Sequence, residues 1–358
     1  MVMYKNIKKI RKIMCLVVMM AVMSLAGGCA LMPDKIYTST IFAMDTIMEL
    51  QIAGDRDYTP VAEEYIRSLE KELSVTDSGS EIARLNSGGT LKLSKEVSHI
   101  LEGAIDVCQK TDGALDITVY PVLKAWGFTT GQYRVPSDEE IDRLLKNVDY
   151  REIKTARDDT SASGEGEMTV ELKDGMQLDL GSVAKGYTGS AVADRLRKLG
   201  VEHALLNLGG NVQCIGTKPN NEKWKVAVKS PFLDSTTGML GVIEADDVAI
   251  ITSGGYERYF EEGGEVYWHI LDPRTGKPAK NGLASVTIVG KDGLKCDGLS
   301  TALFVKGLDD AIEYWRERDD FEAVFITDDR EVYVTQGLSE LFSLTAEYYD
   351  APLHVITR

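Results

Sequence analysis

Apolar residues recur at helical spacing in several parts of the chain. Ile66, Leu69 and Leu73 follow the dipeptide Thr59-Pro60, which predicts a helix with proline in its first turn. Most other helical patterns begin at a capping residue or end at a glycine, and both features mark helix boundaries. These further helices are predicted over 80–86, 94–113, 137–145, 185–200, 297–307 and 309–316.

Strict alternation of apolar and polar residues predicts the strands. It is clearest over 168–172 and 176–180, on either side of the turn dipeptide Asp174-Gly175, which predicts a β-hairpin. The segment 114–119 is predicted to be a short strand or an extended segment. Other strands are predicted over 46–52, 204–208, 224–228, 248–252, 266–271 and 284–289, with a hairpin of 322–326 and 332–335 closing the chain.

Hairpins and helices follow one another without regular βαβ repetition, which favours an α+β fold of mixed antiparallel sheets and packed helices. No internal repeat or interdomain linker interrupts the pattern, so a single domain is predicted over 40–358. The acidic, Ser- and Gly-rich segment 158–167 is predicted to be an exposed loop inside this domain.

Composition and charge restrict the partners of this domain. The chain has 358 residues, of which 44% are hydrophobic, as in ordinary globular proteins, and its formal net charge is −16. Such an excess of negative charge makes nucleic acids and anionic lipid surfaces unfavourable partners. A chain this acidic that binds a phosphate-rich ligand must therefore concentrate positive charge, or a divalent cation, at one site.

The N-terminus is typical of a secretory signal. A basic stretch precedes the apolar run 14–25, which is too short to span a membrane and is followed by Ala26-Gly27-Gly28-Cys29. This order is similar to a bacterial lipobox, although Ala26 stands where leucine is usual. We predict a signal peptide over 1–28, lipidation of Cys29 and a linker over 29–39. An ordinary signal with cleavage nearby is the alternative.

Three further cysteines lie within the predicted domain. Cys108, Cys214 and Cys296 show neither CxxC spacing nor the spacing of metal ligands. We interpret them as small apolar residues that are mostly buried. A disulfide between two of them is the alternative.

The stretch 179–187 combines the end of an alternating segment with two glycines, a serine and Lys185, and a helix is predicted to follow. The unpaired N–H groups and the dipole of a helix N-terminus favour an anion there. Lys185 adds a mobile positive charge. The spacing differs from that of a P-loop. A tight strand-to-helix turn without a ligand is the alternative.

Two more segments carry polar groups suited to chemistry. Asp297, Ser300 and Thr301 stand at the predicted start of a helix, where their oxygens suit Mg²⁺, but an aspartate there is also a common N-cap. His269 ends an apolar strand just before the polar turn 272–276. It is either a base or a hydrogen-bonded core histidine.

Taken together, short segments across the chain resemble the ApbE family in their residues and in their order. The resemblance extends from about residue 37 to the end, and it is specific because it rests on several ordered segments. These are Ala43-Met44-Asp45-Thr46, Ser80-Glu81-Ile82, Gly113-Ala114-Leu115-Asp116, 179–187, 207–211, Ser253-Gly254, 269–276 and 297–301.

The resemblance implies a T-fold-like α+β architecture and the activity of the family, FAD:protein FMN transferase. Such an enzyme uses Mg²⁺, moves FMN from FAD to a Thr or Ser hydroxyl of an acceptor protein with an FMN-binding domain, and releases AMP. The implied acceptor is an electron-transport flavoprotein. Because these proteins are often periplasmic or surface lipoproteins, the resemblance also implies a lipid anchor at the extracytoplasmic face of the bacterial cell membrane.

The resemblance further implies roles for individual residues. His269 would be the catalytic base that takes the proton of the acceptor hydroxyl. The metal would be held by the carbonyl of Ser182 and by Asp297, Ser300 and Thr301. FAD would contact a larger set of residues, namely Met44, Thr76, Ala114, Leu115, Asp116, Asp179, Lys185 and Leu271.

Thr76 marks a departure from the family pattern. Many relatives have a flavin-stacking tyrosine in the segment before Ser80-Glu81-Ile82, whereas this chain reads Ser74-Val75-Thr76-Asp77. A threonine side chain cannot stack on an isoalloxazine ring. Two other functions stay open beside the transferase: an FAD pyrophosphatase that uses water at the same metal site, and a lipid-anchored flavin-binding protein without turnover.

Overall fold

The computed structural model describes residues 35–157 and 167–358. The predicted signal peptide, the predicted lipidation site Cys29 and nearly all of the predicted loop 158–167 lie outside the described residues. Within those two ranges, no helix has both the length and the apolar character needed to cross a membrane.

The helices of the described residues correspond to the predicted ones, except that the helix over Tyr120–Trp126 was not predicted. Ser80, Ser94 and Ser137 each accept the main-chain N–H three residues ahead, as expected of N-caps. In chain order the helices are α1 (Thr59–Leu73), α2 (Glu81–Asn86), α3 (Lys95–Lys110), α4 (Tyr120–Trp126), α5 (Asp138–Leu145), α6 (Gly181–Lys198), α7 (Gly293–Lys306) and α8 (Leu308–Arg316).

The strands of the same residues include several short ones that the alternation of the sequence did not predict. Short 3₁₀ turns over Tyr150–Glu152, Gln336–Leu338 and Ala346–Tyr348 connect some of them. In chain order the strands are β1 (Lys35–Ala43), β2 (Thr46–Gly54), β3 (Thr90–Leu93), β4 (Lys154–Arg157), β5 (Met168–Glu171), β6 (Ala204–Leu208), β7 (Asn211–Ile215), β8 (Trp224–Lys229), β9 (Met239–Ala245), β10 (Ala249–Gly254), β11 (Tyr259–Glu262), β12 (Glu265–Trp268), β13 (Leu271–Asp272), β14 (Lys277–Pro278), β15 (Leu283–Gly290), β16 (Phe321–Thr327), β17 (Val332–Thr335), β18 (Phe342–Leu344) and β19 (Leu353–Ile356).

The main sheet has nine strands in the order β1-β2-β6-β7-β10-β15-β16-β17-β19. The pairs from β2–β6 to β16–β17 are antiparallel, whereas β17 and β19 are parallel. Two three-stranded sheets, β18-β9-β8 and β3-β5-β4, accompany two small pairs, β11-β12 and β13-β14. This mixture of largely antiparallel sheets and packed helices is the predicted α+β fold.

The main sheet is covered on both faces. Successive side chains of a strand point to opposite faces, and β10 and β15 each carry buried apolar side chains on both faces. Ile251 and Ile288 belong to the core beneath α3 and α7, whereas Ile250 and Val289 belong to a second core beneath β8 and β9. Helices α3 and α7 therefore pack on one face of the main sheet, and β8 and β9 pack on the other.

Helices α6 and α7 approach each other with their backbones in contact. A Cβ atom on Gly186 would lie 2.1 Å from the carbonyl oxygen of Gly293, and one on Gly293 would lie 2.2 Å from the carbonyl oxygen of Gly186. Real Cβ atoms do not come this close to a backbone oxygen, so neither position accepts a side chain without moving a helix.

We expect Gly186→Ala to lower the free energy of unfolding by about 3 kcal/mol, the upper end of what overpacking usually costs, because the obstructing atom is backbone. Gly189→Ala on the same helix is the matched control, since its Cβ would lie 3.2 Å from the nearest atom, the Gln213 Cβ, so that a shift of a few tenths of an ångström relieves the contact. Equilibrium denaturant unfolding measures both. Equal stability of the two variants would contradict the close approach.

The predicted hairpin across Asp174-Gly175 is wrong. The turn exists, with Gly175 at a positive φ of 84°, but 176–180 forms no strand, and β5 pairs with β3 and β4 instead. The side chain of Asn86 accepts the Leu178 N–H at 2.6 Å and donates to the Leu178 carbonyl at 2.7 Å. A side chain thus occupies the main-chain groups that a partner strand would need.

Three further expectations about the elements are corrected. Residues 35–39 of the predicted linker belong to β1, which forms one edge of the main sheet. The segment 114–119 consists of turns, apart from a bridge between Val119 and Gln177. The hairpin of β16 and β17 does not close the chain, because β18 and β19 follow it.

The cysteine prediction is confirmed. Cys108, Cys214 and Cys296 are buried and free in the structure. Burial raises the pKa of the Cys214 thiol to about 12, and it also raises the pKa of the other two thiols. Because the thiolate is the reactive form of cysteine, these residues act as small apolar core residues.

Candidate active site

A cleft opens where the first two turns of α6 and α7 meet the ends of several strands. The space inside it, open solvent at the mouth included, is about 1050 Å³, and its lining mixes apolar side chains with a few polar groups, as small-molecule sites do. The cleft brings together side chains from segments that lie far apart in the sequence. The predicted site residues that line it are Ala114, Leu115, Asp116, Asp179, Ser182, Lys185, His269, Leu271, Asp297 and Thr301.

Met44, Thr76 and Ser300 are predicted site residues outside the lining of this cleft. Met44 has a positive φ of 48°, and its N–H donates to the Glu70 carboxylate at 2.6 Å. Thr76 lies on the polar turn after α1, where its N–H donates to the Ser74 hydroxyl at 3.2 Å. Ser300 is fully buried behind the cleft wall. The roles assigned to these three residues stay predictions.

Asp297 is not an N-cap, so that alternative is wrong. Helix α7 begins at Gly293 and is capped by Asp292, whose carboxylate accepts the Lys295 N–H. Asp297 lies one turn further on, buried in the cleft wall. Its Oδ2 accepts the main-chain N–H of Gly186 at 2.8 Å. Asp297 therefore connects the two helices rather than ending one of them.

The environment of Asp297 penalises its negative charge. Burial raises the pKa of the Asp297 carboxyl to about 6, against the opposing effects of Lys185, the Gly186 N–H and the Asn211 amide. A buried carboxylate of this kind gains most from a cation at hydrogen-bonding distance. The site is thus prepared for positive charge.

The oxygen atoms around Asp297 fit Mg²⁺. The Ser253 hydroxyl lies 2.7 Å from that of Ser300 and 3.1 Å from that of Thr301. The N–H of Gly186, four residues after Ser182 on α6, donates to Asp297, so the Ser182 carbonyl lies on the turn of α6 that faces this carboxylate. In residues 35–157 and 167–358 no group of three or more His, Cys, Asp or Glu side chains could hold a metal. One carboxylate with neutral oxygens suits Mg²⁺ shared with substrate phosphates.

Helix α6 begins earlier than predicted, at Gly181 rather than after Lys185. The carboxylate of Asp179 accepts the Gly181 N–H at 2.7 Å, which fixes the turn into the helix. Ser182 and Lys185 therefore stand on the first two turns of α6, and both line the cleft. Lys185 forms no ion pair with any residue that the structure describes, so its charge is available to a bound anion.

Asp116 has a structural role in its own loop. Its Oδ1 accepts the N–H of Thr118 at 2.8 Å and the hydroxyl of Thr118 at 2.6 Å, and its Oδ2 accepts the Tyr150 N–H at 3.0 Å. Burial raises the pKa of Asp116 in spite of these bonds. The carboxylate holds the turn that presents Ala114 and Leu115 to the cleft.

His269 stands between β12 and β13 in the cleft wall. Its main-chain N–H donates to the Arg258 carbonyl at 3.1 Å, and its ring Nδ1 lies 3.3 Å from the same oxygen. Because a carbonyl only accepts, this contact assigns the ring proton to Nδ1 and leaves the lone pair of Nε2 free.

The protonation state of His269 suits a base. Burial, together with the positive charges of Arg258 and Lys185, lowers the pKa of His269 to about 4. The imidazole is therefore neutral at physiological pH and able to take a proton. Its place in the cleft wall, beside the side chains of Lys185 and Asp297, favours the base over the core histidine.

Several cleft residues were not predicted. Asn211 and Ser253 lie in segments that carried the family resemblance. That signal could have identified both. Phe128 and Arg258 also line the cleft, but a single aromatic or basic residue in a loop carries no sequence signal. The Phe128 ring lies 6.3 Å from that of His269.

The chain is similar to known proteins over most of its length. A sequence model of the ApbE family matches residues 44–325. The FAD:protein FMN transferase of Klebsiella pneumoniae (strain 342) is 33% identical over 314 residues, which cover 87% of this chain and 95% of that protein. The FAD:protein FMN transferase of Vibrio cholerae (strain O395) is 32% identical, with 81% and 87% covered.

Solved structures resemble the chain over a similar extent. The ApbE protein of Thermotoga maritima has a TM-score of 0.77 and 30% identity, with 86% of this chain and 99% of that chain covered. The apo form of the Pseudomonas stutzeri flavinyl transferase ApbE has a TM-score of 0.71 and 29% identity, with 89% and 97% covered. The residues that line the cleft, from Ala114 to Thr301, all lie within the range 44–325 that the family model matches.

Proposed function

The chain belongs to the ApbE family of transferases, and from this premise we propose that it transfers FMN from FAD to a protein. In the proposed reaction the acceptor is a Thr or Ser hydroxyl of a flavoprotein, Mg²⁺ is required, and AMP is released. The observation that supports the proposal most is the position of His269, Lys185 and Asp297 on one cleft.

The proposed reaction is a phosphoryl transfer. The acceptor hydroxyl oxygen attacks the phosphorus atom of the FMN half of FAD. One P–O bond forms to the acceptor while the P–O bond to AMP breaks, and AMP leaves with the bridging oxygen. The hydroxyl proton moves to Nε2 of His269, whose ring is unprotonated at neutral pH and whose Nδ1 is occupied by the Arg258 carbonyl.

Two sources of positive charge would act on the pyrophosphate. Lys185 supplies one from the second turn of α6. The other is Mg²⁺, which would be held by Asp297, by the hydroxyls of Ser300 and Thr301, and by the carbonyl of Ser182. Bound Mg²⁺ would neutralise negative charge on the phosphate oxygens as the bond to AMP breaks. These charges explain how a chain of net charge −16 can accept a dianionic substrate.

Product analysis tests this function. The soluble fragment from residue 35 onward is incubated with FAD, Mg²⁺ and a flavoprotein domain that has an FMN-binding site. We expect intact-mass analysis to show one added FMN on the acceptor, with AMP in equal amount. Free FMN with AMP would identify an FAD pyrophosphatase instead, and unchanged FAD would identify a binding protein without turnover.

We also propose that the protein is anchored by lipid at the extracytoplasmic face of the bacterial cell membrane. The support is the order of the basic segment, the apolar run 14–25 and Cys29. Cys29→Ala is expected to abolish incorporation of a labelled fatty acid and to leave the protein unprocessed or released. Recovery of wild-type mature protein that begins elsewhere and carries no lipid would contradict the anchor.

A further inference from the structure

We propose that the acceptor protein docks by adding an extended segment, as a third strand, to the free edge of β11. The inference rests on the proposed transfer function, because it names the surface that receives the acceptor. It starts from the small sheet of β11 and β12, which stands beside the cleft. We call this two-stranded element the rim hairpin.

The rim hairpin begins and ends at the catalytic cleft. Its turn, Gly263-Gly264, has two positive φ angles of 63° and 84°, as a two-residue hairpin turn requires. Glu262 faces Glu265 across it, and the pairing continues to Tyr259 and Trp268. The His269 N–H then donates to the Arg258 carbonyl. The last pair of the ladder therefore consists of two cleft residues.

The geometry of an antiparallel ladder shows which main-chain groups of β11 face outward. Hydrogen-bonded and non-hydrogen-bonded pairs alternate, and the bond between His269 and Arg258 makes theirs a hydrogen-bonded pair. The N–H and C=O groups of Tyr259 and Glu261 therefore point away from β12. They have no hydrogen-bond partner within the described ranges, so they can pair with another strand.

The two edges of the rim hairpin are not equivalent. Tyr267 and Trp268 are consecutive on β12 and so point to opposite faces, yet the Lys280 ammonium lies 5.2 Å from one ring centre and 5.7 Å from the other. A side chain that reaches both rings must pass the β12 edge. Lys280 also lies 3.5 Å from the Glu265 carboxylate. The Lys280 side chain thus covers the edge of β12, whereas the edge of β11 is open.

The surroundings of this edge indicate the chemistry of the docking segment. Tyr133 stacks on Phe260 with ring centres 5.3 Å apart, and Phe260 stacks in the same way on Tyr267, so one face of the rim hairpin is held rigidly. Glu261 and Glu262 are exposed and form no ion pair in the part of the chain described. A segment with a lysine or arginine would complement these two charges.

The distances agree with delivery of a hydroxyl to His269. Arg258 precedes Glu261 by three residues, which corresponds to about 10 Å of extended chain. A segment paired with Tyr259 and Glu261 therefore reaches the cleft within about three or four residues, at a strand spacing of about 4.8 Å from β11. We therefore expect the reacting Thr or Ser of the acceptor to lie about three or four residues along the acceptor chain from its lysine or arginine.

Two substitutions at one position test this docking mode. Glu261→Pro removes an outward N–H without removing a ladder bond, and proline is accepted at such edge positions. Glu261→Ala removes the charge but keeps the N–H. We expect Glu261→Pro to raise the KM for the acceptor at least tenfold, and Glu261→Ala to raise it less and in a salt-dependent way. The KM for FAD and the kcat at saturating acceptor should stay near the wild-type values.

The controls separate failure of the docking mode from failure of the function. Wild-type protein that attaches no FMN to the acceptor would overturn the function itself. Wild-type transfer with an unchanged acceptor KM in Glu261→Pro would overturn only the docking mode. If Glu261→Pro folds poorly, hydrogen exchange in the wild type decides, because docking must protect the amides of Tyr259 and Glu261 when acceptor is added. Unprotected amides would contradict it.

Discussion

Asp297→Asn is expected to lower Mg²⁺-dependent FMN transfer by at least about 100-fold. A bound metal ion supplies several kcal/mol of charge stabilisation, and each tenfold in rate corresponds to about 1.4 kcal/mol. The amide of asparagine has nearly the shape of the carboxylate and can still accept the Gly186 N–H. The change therefore removes the negative charge while preserving the contact between α6 and α7.

The measurements are transfer rates over a range of Mg²⁺ concentrations and metal binding by calorimetry. Asp292→Asn is the matched control, because it changes the true N-cap of α7 to a residue that caps equally well. This variant should transfer FMN at the wild-type rate. Near-normal Mg²⁺-dependent transfer by Asp297→Asn would show that the metal is held elsewhere.

Replacing His269 with alanine is expected to reduce the transfer rate by about 10² to 10⁴, the usual contribution of a general base. Binding of FAD and Mg²⁺ should stay almost normal, since the loss concerns proton transfer during attack. His354→Ala is the control, because His354 stacks on Tyr333, whose ring centre is 4.6 Å away, and does not line the cleft.

The pH profile adds an independent readout for His269. Because its pKa is lowered to about 4, the ring stays unprotonated as pH falls from 8 to 5, and wild-type activity should show no loss at the usual histidine pKa near 6.5. Rapid-quench rates at saturating FAD and saturating Mg²⁺ measure this, because bound Mg²⁺ keeps the Asp297 carboxyl ionised although burial raises its pKa to about 6. Full transfer by His269→Ala would leave proton removal to another group, such as Asp272.

The sequence predicted those parts of the fold that are specified locally. Serine caps and terminal glycines placed the helix boundaries near Ser80, Ser94 and Gly200 correctly, because capping depends on residues within one turn. The hairpin at 174–175 failed because a distant side chain, that of Asn86, occupies the Leu178 main chain. Local alternation contains no information about such a contact.

In the candidate site, too, some features could be predicted from neighbouring residues and others could not. Asp297 was identified from its neighbours Ser300 and Thr301, but its position inside α7 depends on Asp292, an earlier capping residue. The position of Arg258 in the cleft depends on the β11–β12 hairpin, which the alternation of the sequence did not predict and whose register places Arg258 opposite His269. Residue types therefore predicted the chemistry, whereas the positions required tertiary structure.

The glycine contact between α6 and α7 also bears on how this protein can change during evolution. Lys185 and Asp297 stand on two helices whose separation is set by backbone atoms at Gly186 and Gly293. Substitutions of apolar core residues that leave this backbone contact intact are expected to change thermal stability more than turnover. Selection for activity is then expected to act on these two glycines jointly, since a side chain at either one moves both charged groups apart.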